Sequence, residues 1–387
     1  MNTMPDKELE HILIVDDNPN NLRLVSEMLR ERGYLLRAVA SGKRALASIE
    51  LDPPEMILLD IRMPEMDGYQ VCQQIKANPR TKDIPVIFIS ALDEIQDKMK
   101  AFEAGGVDYV TKPFQLEEVI ARVETHLSLR RLQRNLEESN QRMQRELALA
   151  ARVQSSIMRQ HLPELPGWQT AVKLLPAKLI CGDFFDVARL PNGNVAILIA
   201  DVVDKGVGAA LYMSMSMALL RSYIIEHPQN PGLVFQATNH RILEDTQADQ
   251  FVTVFLGILN PETGALVYSN AGHNPPLLVS HDPARPLELL KHTGTALGIL
   301  EEMSWTQQQI RLSPGDSLVL YTDGITEAEN TGQDFYGLDR LVEMVNSLRG
   351  QPAQAVLEAI LENLQQFTGE MAQSDDIALV ILGRNLA

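Results

Sequence analysis

Cysteine is scarce in this sequence: Cys72 and Cys181 are the two in 387 residues, and they lie far apart. Two isolated cysteines make neither a disulfide framework nor a thiolate metal pattern, and they fit a reducing, cytoplasmic compartment. Positive charge is also in deficit, since 34 Lys and Arg face 51 Asp and Glu and give a net charge of −17. This balance argues against a general nucleic-acid-binding protein.

Long hydrophobic runs are missing as well. No apolar run approaches the roughly 18 residues of a membrane span, and the nearest, AALYMSMSMALL, is short and serine-interrupted and predicts a buried helix. The first residues, MNTMPDKELEH, are charged and have no apolar core, which argues against a signal peptide. With 45% hydrophobic residues the chain can bury real cores, and its length predicts two or three domains in the cytoplasm, without a membrane partner.

Apolar strands alternate with amphipathic helices between residues 11 and 127. The strand candidates are HILIVDD, YLLRAVA, MILLD, VIFIS and YVTKPF, and helical patterns between them include Asn20 to Arg32 and Gly68 to Lys76. Repeated strand–helix units predict an α/β domain with a doubly wound, five-stranded parallel sheet.

Reactive side chains stand where these strands end. They are Asp16, Asp17, Asp60, Ser90 and Lys112. In such sheets, ligands bind at the carboxyl ends of the strands. A strand often ends in a polar residue, but this is a poor explanation for all five positions together. Three carboxylates, a hydroxyl and an ammonium predict a hard-cation site that faces a phosphate.

The motifs VDD, LLDIRMPEMDG, ISA and VTKPF closely resemble the CheY-like receiver domains of two-component signalling. The resemblance covers about a third of the chain and implies that Asp60 accepts a phosphoryl group from a sensor histidine kinase. It also implies a Mg²⁺ site whose ligands are Asp16, Asp17, Asp60 and the backbone carbonyl of Arg62.

The same resemblance implies roles for the remaining strand-end residues. A metal ion and the Lys112 ammonium can neutralise the charge that develops during in-line phosphoryl transfer. The Ser90 hydroxyl can follow the new phosphate, and Tyr109 stands where receivers have a switching aromatic residue. The bond before Pro113 is expected to be cis, as in the family.

Residues 127 to 160 contain no glycine or proline and predict a long helix. In a heptad pattern, seven of nine seam positions are apolar. Position a holds Leu129, Leu136, Met143, Ala150 and Ile157, and position d holds Leu132, Ser139, Glu146 and Val153. A paired coiled coil that makes a homodimer and a passive spacer both remain open. Arginines alternate with acids here, so a solvated face is favoured over a DNA contact.

From about Trp168 the pattern changes to strand runs joined by turns, including VAILIAD, TVFLGILNPETGALVYSNA, SLVLYTDG and DDIALVIL. Helical stretches lie apart from them, at Gly208 to His227, Leu233 to Gln247 and Leu338 to Phe367. This order predicts an α+β domain, an antiparallel sandwich flanked by helices. The predicted domain boundaries are a receiver at 1–126, a helical linker at 127–162 and the second domain at 163–387.

The stretch ILIADVVDKGVGAAL joins an apolar run to Asp201, Asp204 and two glycines. This order is similar to a dinucleotide fingerprint, but position 211 is leucine and two carboxylates would repel a pyrophosphate. No lysine–serine or lysine–threonine pair follows, so the stretch is not a P-loop. A plain turn and a metal loop both remain open at this point.

Four segments of the second domain bring acids to strand ends. These acids are Asp183 and Asp186 in CGDFFD, Asp201 in ADVVD, Asp323 in YTDGITEA, and Asp375 and Asp376 in SDDIAL. Each segment alone can be explained as an ordinary turn, in which aspartate and glycine are common. If the four converged, the charge would be tolerable only with metal, and all-oxygen ligands favour Mg²⁺ or Mn²⁺. Two such ions about 3.5–4 Å apart can activate a water for attack on a phosphate.

The motifs GDFFD, ADVVDKGVGAAL, YSNAGHNPPLL, YTDGITEAEN and SDDIALVIL closely resemble the PPM serine/threonine phosphatases of the RsbU and SpoIIE branch, from Leu162 to the C-terminus. The resemblance implies two Mn²⁺ or Mg²⁺ ions and a catalytic role for Asp201. The implied ligands are Asp183, Asp201, Asp323, Asp375 and the backbone carbonyl of Val202, with Asp186 and Asp376 as further candidates. Cys181, Asp204 and Ala378 depart from the usual branch pattern, and none of them removes a ligand.

Together the motifs predict a response regulator whose output is dephosphorylation of a protein. In the family, the substrate is commonly a phosphorylated anti-anti-sigma (STAS) protein. The competing hypothesis is a non-catalytic adaptor that binds an anti-sigma or sigma factor, but all four motif acids are present. A DNA-binding regulator would depend on the linker arginines alone, without a helix-turn-helix pattern.

Overall fold

The computed structural model describes residues 10–91, 95–113, 115–158, 162–246 and 250–386. The chain divides into two compact units, Met1–Arg142 and Met143–Ala387. One long helix runs through this division, so the predicted linker is the continuation of a helix that starts inside the first unit.

The first unit contains a parallel sheet of five strands in the order β2-β1-β3-β4-β5. The strands are β1 (His11–Val15), β2 (Leu35–Val39), β3 (Met56–Asp60), β4 (Val86–Ser90) and β5 (Asp108–Thr111). The helices are α1 (Pro19–Glu31), α2 (Gly42–Leu51), α3 (Gly68–Ala77), α4 (Ile95–Glu103) and α5 (Leu116–Ile157). The doubly wound fold is confirmed, and all five strands coincide with predicted runs; Phe114, in the fifth run, lies outside the described residues.

Both faces of this sheet are covered by helices. Every residue of β3 and β4 is buried, which explains why these strands are apolar throughout rather than alternating. On one face, Ala45 of α2 and Val71 of α3 join the core, and on the other face Leu29 of α1 and Val123 of α5 do so. Burial of each large aliphatic side chain contributes roughly 1.5–3 kcal/mol.

Helix α5 begins at Leu116, earlier than the predicted start at residue 127. Its first turns pack Val119, Ile120 and Val123 against the receiver sheet. The heptad pattern from residue 127 onward does not indicate this earlier start, because the apolar residues of the first turns of α5 pack in the receiver core. The last helical residue is Ile157, and the predicted end at Gln160 lies outside the described residues.

The second unit contains two antiparallel sheets, with strand orders β13-β10-β9-β8-β7 and β12-β11-β14-β15-β6. The first consists of β7 (Phe184–Arg189), β8 (Val195–Val202), β9 (Val252–Leu259), β10 (Ala265–Ala271) and β13 (Gln308–Arg311). The second consists of β6 (Trp168–Leu175), β11 (Leu277–Val279), β12 (Glu288–Leu289), β14 (Ser317–Tyr321) and β15 (Ile377–Arg384). Strands β6, β7, β11, β12 and β13 have no counterpart among the predicted runs.

Over the described part of this unit, five helices accompany the sheets: α6 (Val207–Glu226), α7 (Pro231–Asp245), α8 (Asp323–Thr326), α9 (Gly337–Ser347) and α10 (Ala353–Thr368). A central core between the sheets contains Ile197, Phe255 and Val380. Helices α6 and α7 cover the outer face of one sheet, and α9 and α10 cover the other. The predicted sandwich flanked by helices is confirmed.

Two predictions about these helices need comment. The single helix predicted from Leu338 to Phe367 is wrong: Gly350, at φ 76°, and Pro352 separate α9 from α10. Helix α6 is long and apolar enough to cross a membrane by length and composition. Its residues Met213 and Met217 are fully buried in the domain core, as predicted for a buried helix. The predicted end of α7, Gln247, lies outside the described residues.

Candidate active sites

The three receiver acids meet at one edge of the parallel sheet. Asp16 and Asp17 follow β1, Asp60 ends β3, and these strands are direct neighbours. One carboxylate oxygen from each of the three lies within 4.8 Å of the other two. Asp16 and Asp60 are buried, whereas Asp17 is exposed. Three converging carboxylates with an open side fit a hard divalent cation.

Lys112 joins this group from the end of β5. Its Nζ lies 2.7 Å from Asp16 Oδ2 and 3.0 Å from Asp60 Oδ2, and its peptide bond to Pro113 is cis, as predicted. Burial raises the pKa of Asp60, and the hydrogen bond from Lys112 opposes that rise. Burial lowers the pKa of Lys112, but its hydrogen bonds to Asp16 and Asp60 outweigh burial and leave the pKa raised. The ammonium therefore stays charged beside the predicted phosphoacceptor.

The remaining receiver residues surround Asp60. Ser90 ends β4, the neighbour of β3, and is fully buried. The backbone N–H of Arg62 donates to the Asp60 carboxylate. Tyr109 is buried in β5, with the Lys98 ammonium 5.9 Å from its ring centroid. The structure thus gathers the predicted side chains at one edge, and their chemical roles stay predictions.

Gly68, the predicted and observed start of α3, has a steric role that the sequence pattern did not assign. A Cβ at Gly68 would collide with the backbone carbonyl oxygen of Asp60. The N–H of Gly68 also donates to the Ile61 carbonyl at 2.9 Å. Because glycine has no side chain, α3 can begin directly against the segment that follows the phosphoacceptor.

In the second unit, the four acid-bearing segments meet where strands of the two sheets end. A Cβ at Gly182 would lie 3.3 Å from the Val202 carbonyl oxygen, so the CGDFFD and ADVVD segments touch. A Cβ at Gly324 would collide with the Asp376 carbonyl oxygen, so the YTDG and SDD segments touch as well. The side chains of Asp183 and Asp201 hydrogen-bond to each other, which joins CGDFFD and ADVVD directly.

The charges of these acids disturb one another strongly. Burial and then the charge of Asp201 raise the pKa of Asp183 well above its usual range. Burial and then the charge of Asp323 raise the pKa of Asp201 to about 7. Burial, followed by the charges of Glu327 and Asp375, raises the pKa of Asp323 to about 6. Carboxyls that resist ionisation in this way are typical of a site that a divalent cation stabilises.

The donor set fits such a cation. Asp183 Oδ2 is buried and has no hydrogen-bond partner within the described ranges, so it is available as a ligand atom. Over those same ranges, no three acids of this domain bring their oxygens within 4.8 Å of one another, unlike the receiver group.

Two acids offered as further ligand candidates have other partners. Both carboxylate oxygens of Asp376 accept backbone hydrogen bonds, from Ala177 at 2.8 Å and Gly182 at 2.7 Å. Asp186 Oδ2 accepts a hydrogen bond from Arg221 Nε at 2.7 Å, and the side chain is buried. These contacts give Asp376 the task of joining two loops, and they pair Asp186 with Arg221. Each of the two carboxylates therefore has a partner within the domain.

The glycines of the ADVVDKGVGAAL stretch differ from each other in role. Gly206 has φ 98° and directly precedes α6, so it supports the predicted turn into the helix. Gly208 already lies inside α6, and no left-handed φ is recorded for it. Asp204, which departs from the family pattern, has φ 74°, and this explains why glycine is usual there.

Three residues that sequence patterns did not single out also shape the site. The Thr322 side chain hydrogen-bonds Asp183, and its Oγ1 accepts the Ala378 N–H at 2.8 Å. Gln154 of α5 hydrogen-bonds the backbone of Cys181 in both directions. Lys205 donates to Asp375 Oδ2 at 2.8 Å. Of these, only Thr322 had a sequence signal, its position directly before the Asp-Gly turn.

His273 and Cys181 are both buried. His273 is fully buried, its Nδ1 lies 2.9 Å from Thr253 Oγ1, and its backbone N–H donates to Asn270 Oδ1. Burial lowers the pKa of His273 to about 3, so the ring is neutral near pH 7. Burial raises the pKa of the Cys181 thiol, which keeps it protonated and unreactive.

Comparison with known proteins agrees with this geometry. The family profile described as Stage II sporulation protein E (SpoIIE) matches residues 191–385, about half of the chain. The chain belongs to the SpoIIE family. The profile of the response regulator receiver domain matches residues 12–124. The chain is thus a receiver domain fused to a SpoIIE-type phosphatase domain.

Individual relatives cover one or both domains. Protein IcfG of Synechocystis is 28% identical over 96% of this chain and 58% of its own length. Phosphoserine phosphatase RsbU of Bacillus subtilis is 28% identical over 64% of this chain and 72% of its own length. This chain spans 29% to 58% of the lengths of IcfG and of several other curated relatives that it matches.

The SiaA-PP2C domain of Pseudomonas aeruginosa superimposes on the second unit with a TM-score of 0.56. It is 20% identical and covers 63% of this chain and 97% of its own length. At this identity the likeness concerns the fold, which agrees with the observed sandwich flanked by helices.

Proposed function

We propose that this protein is a response regulator that receives a phosphoryl group on Asp60 and, through its second domain, hydrolyses phosphoserine or phosphothreonine on a partner protein. The observation that carries the proposal is that the four acid-bearing segments touch, and that burial, followed by the charges of neighbouring acids, raises the pKa of Asp183, Asp201 and Asp323. The printed name of RsbU, a phosphoserine phosphatase, supports the same chemistry.

Metal ions would be held by the two acid groups. In the receiver, Asp16, Asp17 and Asp60, with the Arg62 carbonyl, would hold Mg²⁺. In the phosphatase domain, Asp183, Asp201, Asp323, Asp375 and the Val202 carbonyl would hold two Mn²⁺ or Mg²⁺ ions. When bound, these ions supply a nucleophilic water at neutral pH and neutralise phosphate charge. The charge of Asp201 acts on Asp183, and the charge of Asp323 acts on Asp201. We therefore assign Asp201 to both ions.

In the receiver, the protein's own groups prepare the acceptor. Lys112 keeps Asp60 and Asp16 within hydrogen-bond distance of one ammonium, which holds the acceptor carboxylate in one orientation. After transfer, this ammonium can pair with the added phosphate, and the Ser90 hydroxyl is the predicted second partner. A sensor histidine kinase is the proposed donor.

The proposed substrate is a phosphorylated anti-anti-sigma (STAS) protein, and the support is the likeness to RsbU. We also propose a homodimer through α5. The seam positions Leu129, Leu132, Leu136, Met143 and Val153 are each more than half exposed along the single chain. A row of exposed leucines on a polar helix favours pairing with a second copy. The receiver, linker and phosphatase boundaries at 1–126, 127–162 and 163–387 belong to the same proposal.

The deciding experiment is hydrolysis of p-nitrophenyl phosphate and of a phosphoserine STAS protein, with EDTA, Mg²⁺ or Mn²⁺. The proposal expects activity with metal that is lost in EDTA and in Asp323→Asn. Acetyl phosphate or beryllofluoride should change the rate in the wild type and not in Asp60→Ala. A folded protein that binds metal, shows no hydrolysis of either substrate and captures an anti-sigma factor would instead be a non-catalytic adaptor.

A further inference from the structure

Lys205 is a cation in the middle of an acidic site, and the proposed function gives it no task. It lies in the short loop between β8 and α6, directly after the ADVVD segment. The residues on either side of it, Asp204 and Gly206, have φ of 74° and 98°. Positive φ at the positions directly before and after Lys205 fixes the direction of the loop at this residue.

The Lys205 ammonium makes two contacts. Its Nζ lies 2.8 Å from Asp375 Oδ2 and 2.9 Å from the Ser374 carbonyl oxygen. An ammonium has three N–H donors, so these two acceptors leave one donor. The side chain remains 41% exposed, which means that a molecule in solution can reach that donor.

A phosphoserine dianion that approaches this site meets Asp183, Asp201, Asp323 and Asp375. Even with cations bound, these carboxylates repel the outer phosphate oxygens that do not touch metal. Two other basic groups of the domain cannot supply the missing charge. His273 is neutral because burial lowers its pKa to about 3. Arg221 is committed to Asp186 and to the Ile157 carbonyl.

We propose that Lys205 binds the phosphoryl group of the substrate and holds it for attack by water. This inference rests on the proposed function and adds a substrate-binding residue to it. In the reaction, the water oxygen bonds to phosphorus and the bond between phosphorus and the serine oxygen breaks. One proton of the water ends on the serine oxygen, which leaves as its hydroxyl, and the other stays with the released phosphate. Lys205 donates hydrogen bonds throughout and gives up no proton. Its partner Asp375 keeps the ammonium beside the acids before the substrate arrives.

The competing explanation is that Lys205 only fastens the 374–375 segment to the loop after β8. The two roles separate in three variants. Lys205→Gln keeps a side-chain donor for the Ser374 carbonyl and Asp375 but removes the charge. Lys205→Arg keeps the charge and the donors. Lys291→Ala is the matched control, because it removes an exposed lysine elsewhere in the same domain.

The direct measurement is calorimetric binding of inorganic phosphate to the full-length, Mn²⁺-loaded protein, followed by KM and kcat for p-nitrophenyl phosphate. We expect Lys205→Gln to weaken phosphate binding and raise KM by about tenfold or more, as for loss of a charge-assisted hydrogen bond. Lys205→Arg should restore most of both, and Lys291→Ala should match the wild type. The Mn²⁺ concentration for half-maximal activity should not rise in Lys205→Gln.

Two results would overturn the assignment: wild-type phosphate affinity and KM in Lys205→Gln, or an equal loss in Lys205→Gln and Lys205→Arg together with weaker Mn²⁺ binding. The second result would show that Lys205 only holds the 374–375 segment to the loop after β8. Thermal unfolding of each variant checks that the fold is kept. If the wild type binds phosphate through Lys205 but hydrolyses neither test substrate, the proposed function fails while Lys205 keeps its assignment.

Discussion

The side chain of Gln154 and the backbone of Cys181 are joined by two hydrogen bonds. Gln154 Nε2 donates to the Cys181 carbonyl at 2.6 Å, and the Cys181 N–H donates to Gln154 Oε1 at 3.0 Å. Gln154 lies in the last turns of α5 and is buried, and Cys181 stands two residues before Asp183. The end of the long helix therefore holds the loop that carries the first proposed metal ligand.

Gln154→Ala should weaken metal binding in the phosphatase domain. The substitution leaves the buried N–H and carbonyl of Cys181 without their partners, at a cost of about 1–3 kcal/mol each, and loosens the loop before Asp183. We expect a several-fold higher Mn²⁺ concentration for half-maximal hydrolysis of p-nitrophenyl phosphate. Gln144→Ala, an exposed glutamine on the same helix, is the control. Equal Mn²⁺ dependence in the two variants would show that this contact does not support the metal loop.

Asp201→Asn should remove most phosphatase activity and leave the fold intact. Asp201 is assigned to both ions, and an amide supplies neither the charge nor the second ligand oxygen of a carboxylate. We expect a loss of about 100-fold or more in kcat/KM, which corresponds to roughly 2.7 kcal/mol of barrier. Metal-dependent hydrolysis at the wild-type rate would contradict the assigned site. Asp186→Asn makes a useful comparison, because Asp186 is paired with Arg221 and should affect stability more than metal affinity.

The metal-free protein should lose stability as the pH rises. In the folded chain the pKa of Asp201 is about 7 and that of Asp323 about 6, whereas an unfolded aspartate has about 3.9. The folded state therefore binds more protons, and the free energy of unfolding falls between about pH 4 and pH 7. Melting curves in EDTA should show a melting temperature that falls over this pH range. In Asp201→Asn this fall should be smaller by at least about 2 °C. An identical pH dependence in Asp201→Asn would mean that Asp201 does not carry the shift.

Input through Asp60 can be tested independently of the output. Beryllofluoride and acetyl phosphate should modify the wild-type receiver and not Asp60→Ala, since Asp60 is the buried acid hydrogen-bonded to Lys112. Lys112→Ala should keep the acceptor but slow its modification, because the neutralising ammonium is gone. Intact mass and peptide mapping provide the measurement. A phosphate found on Asp16 or Asp17 would show that the roles within the acid group are assigned wrongly.

The receiver site could be foreseen from sequence because parallel strands bring their carboxyl ends to one edge. Asp16, Asp60 and Lys112 needed no further information to meet there. It was harder to predict which phosphatase acids are metal ligands, since neighbouring antiparallel strands end at opposite edges of a sheet. The sequence also does not distinguish the roles of adjacent acids such as Asp375 and Asp376. The structure separates them: Asp376 holds two backbone N–H groups, and Asp375 pairs with Lys205.

Some contributors carry no local signal at all. Gln154 lies off the heptad seam, so helical periodicity assigns it to solvent, and its burial comes from a contact 27 positions along the chain. The break between α9 and α10 lies at Gly350 and Pro352, two helix breakers that the predicted helix from Leu338 to Phe367 ran through. At Gln154, by contrast, a tertiary contact overrides a pattern that is locally consistent.

The exposed seam of α5 leads to the final prediction, which concerns coupling between the domains. The helix spans 42 residues, or about 60 Å, and it joins the two domains along the chain. A two-state element is needed, and a seam that pairs marginally supplies one. Leu129, Leu136 and Met143 favour pairing of two copies, whereas Ser139 and Glu146 weaken the middle of the seam.

Replacement of Leu129, Leu136 and Met143 by serine should therefore lower the molar mass measured by light scattering and uncouple hydrolysis from beryllofluoride. The matched control replaces three polar residues of the same helix outside the seam, Gln133, Gln141 and Gln144, with serine. This control should keep both the mass and the response, since each of its positions is exposed and lies off the apolar stripe. If the seam variant keeps the wild-type mass, basal rate and response to beryllofluoride, α5 is a passive spacer, and the signal must reach the Cys181 loop by another route.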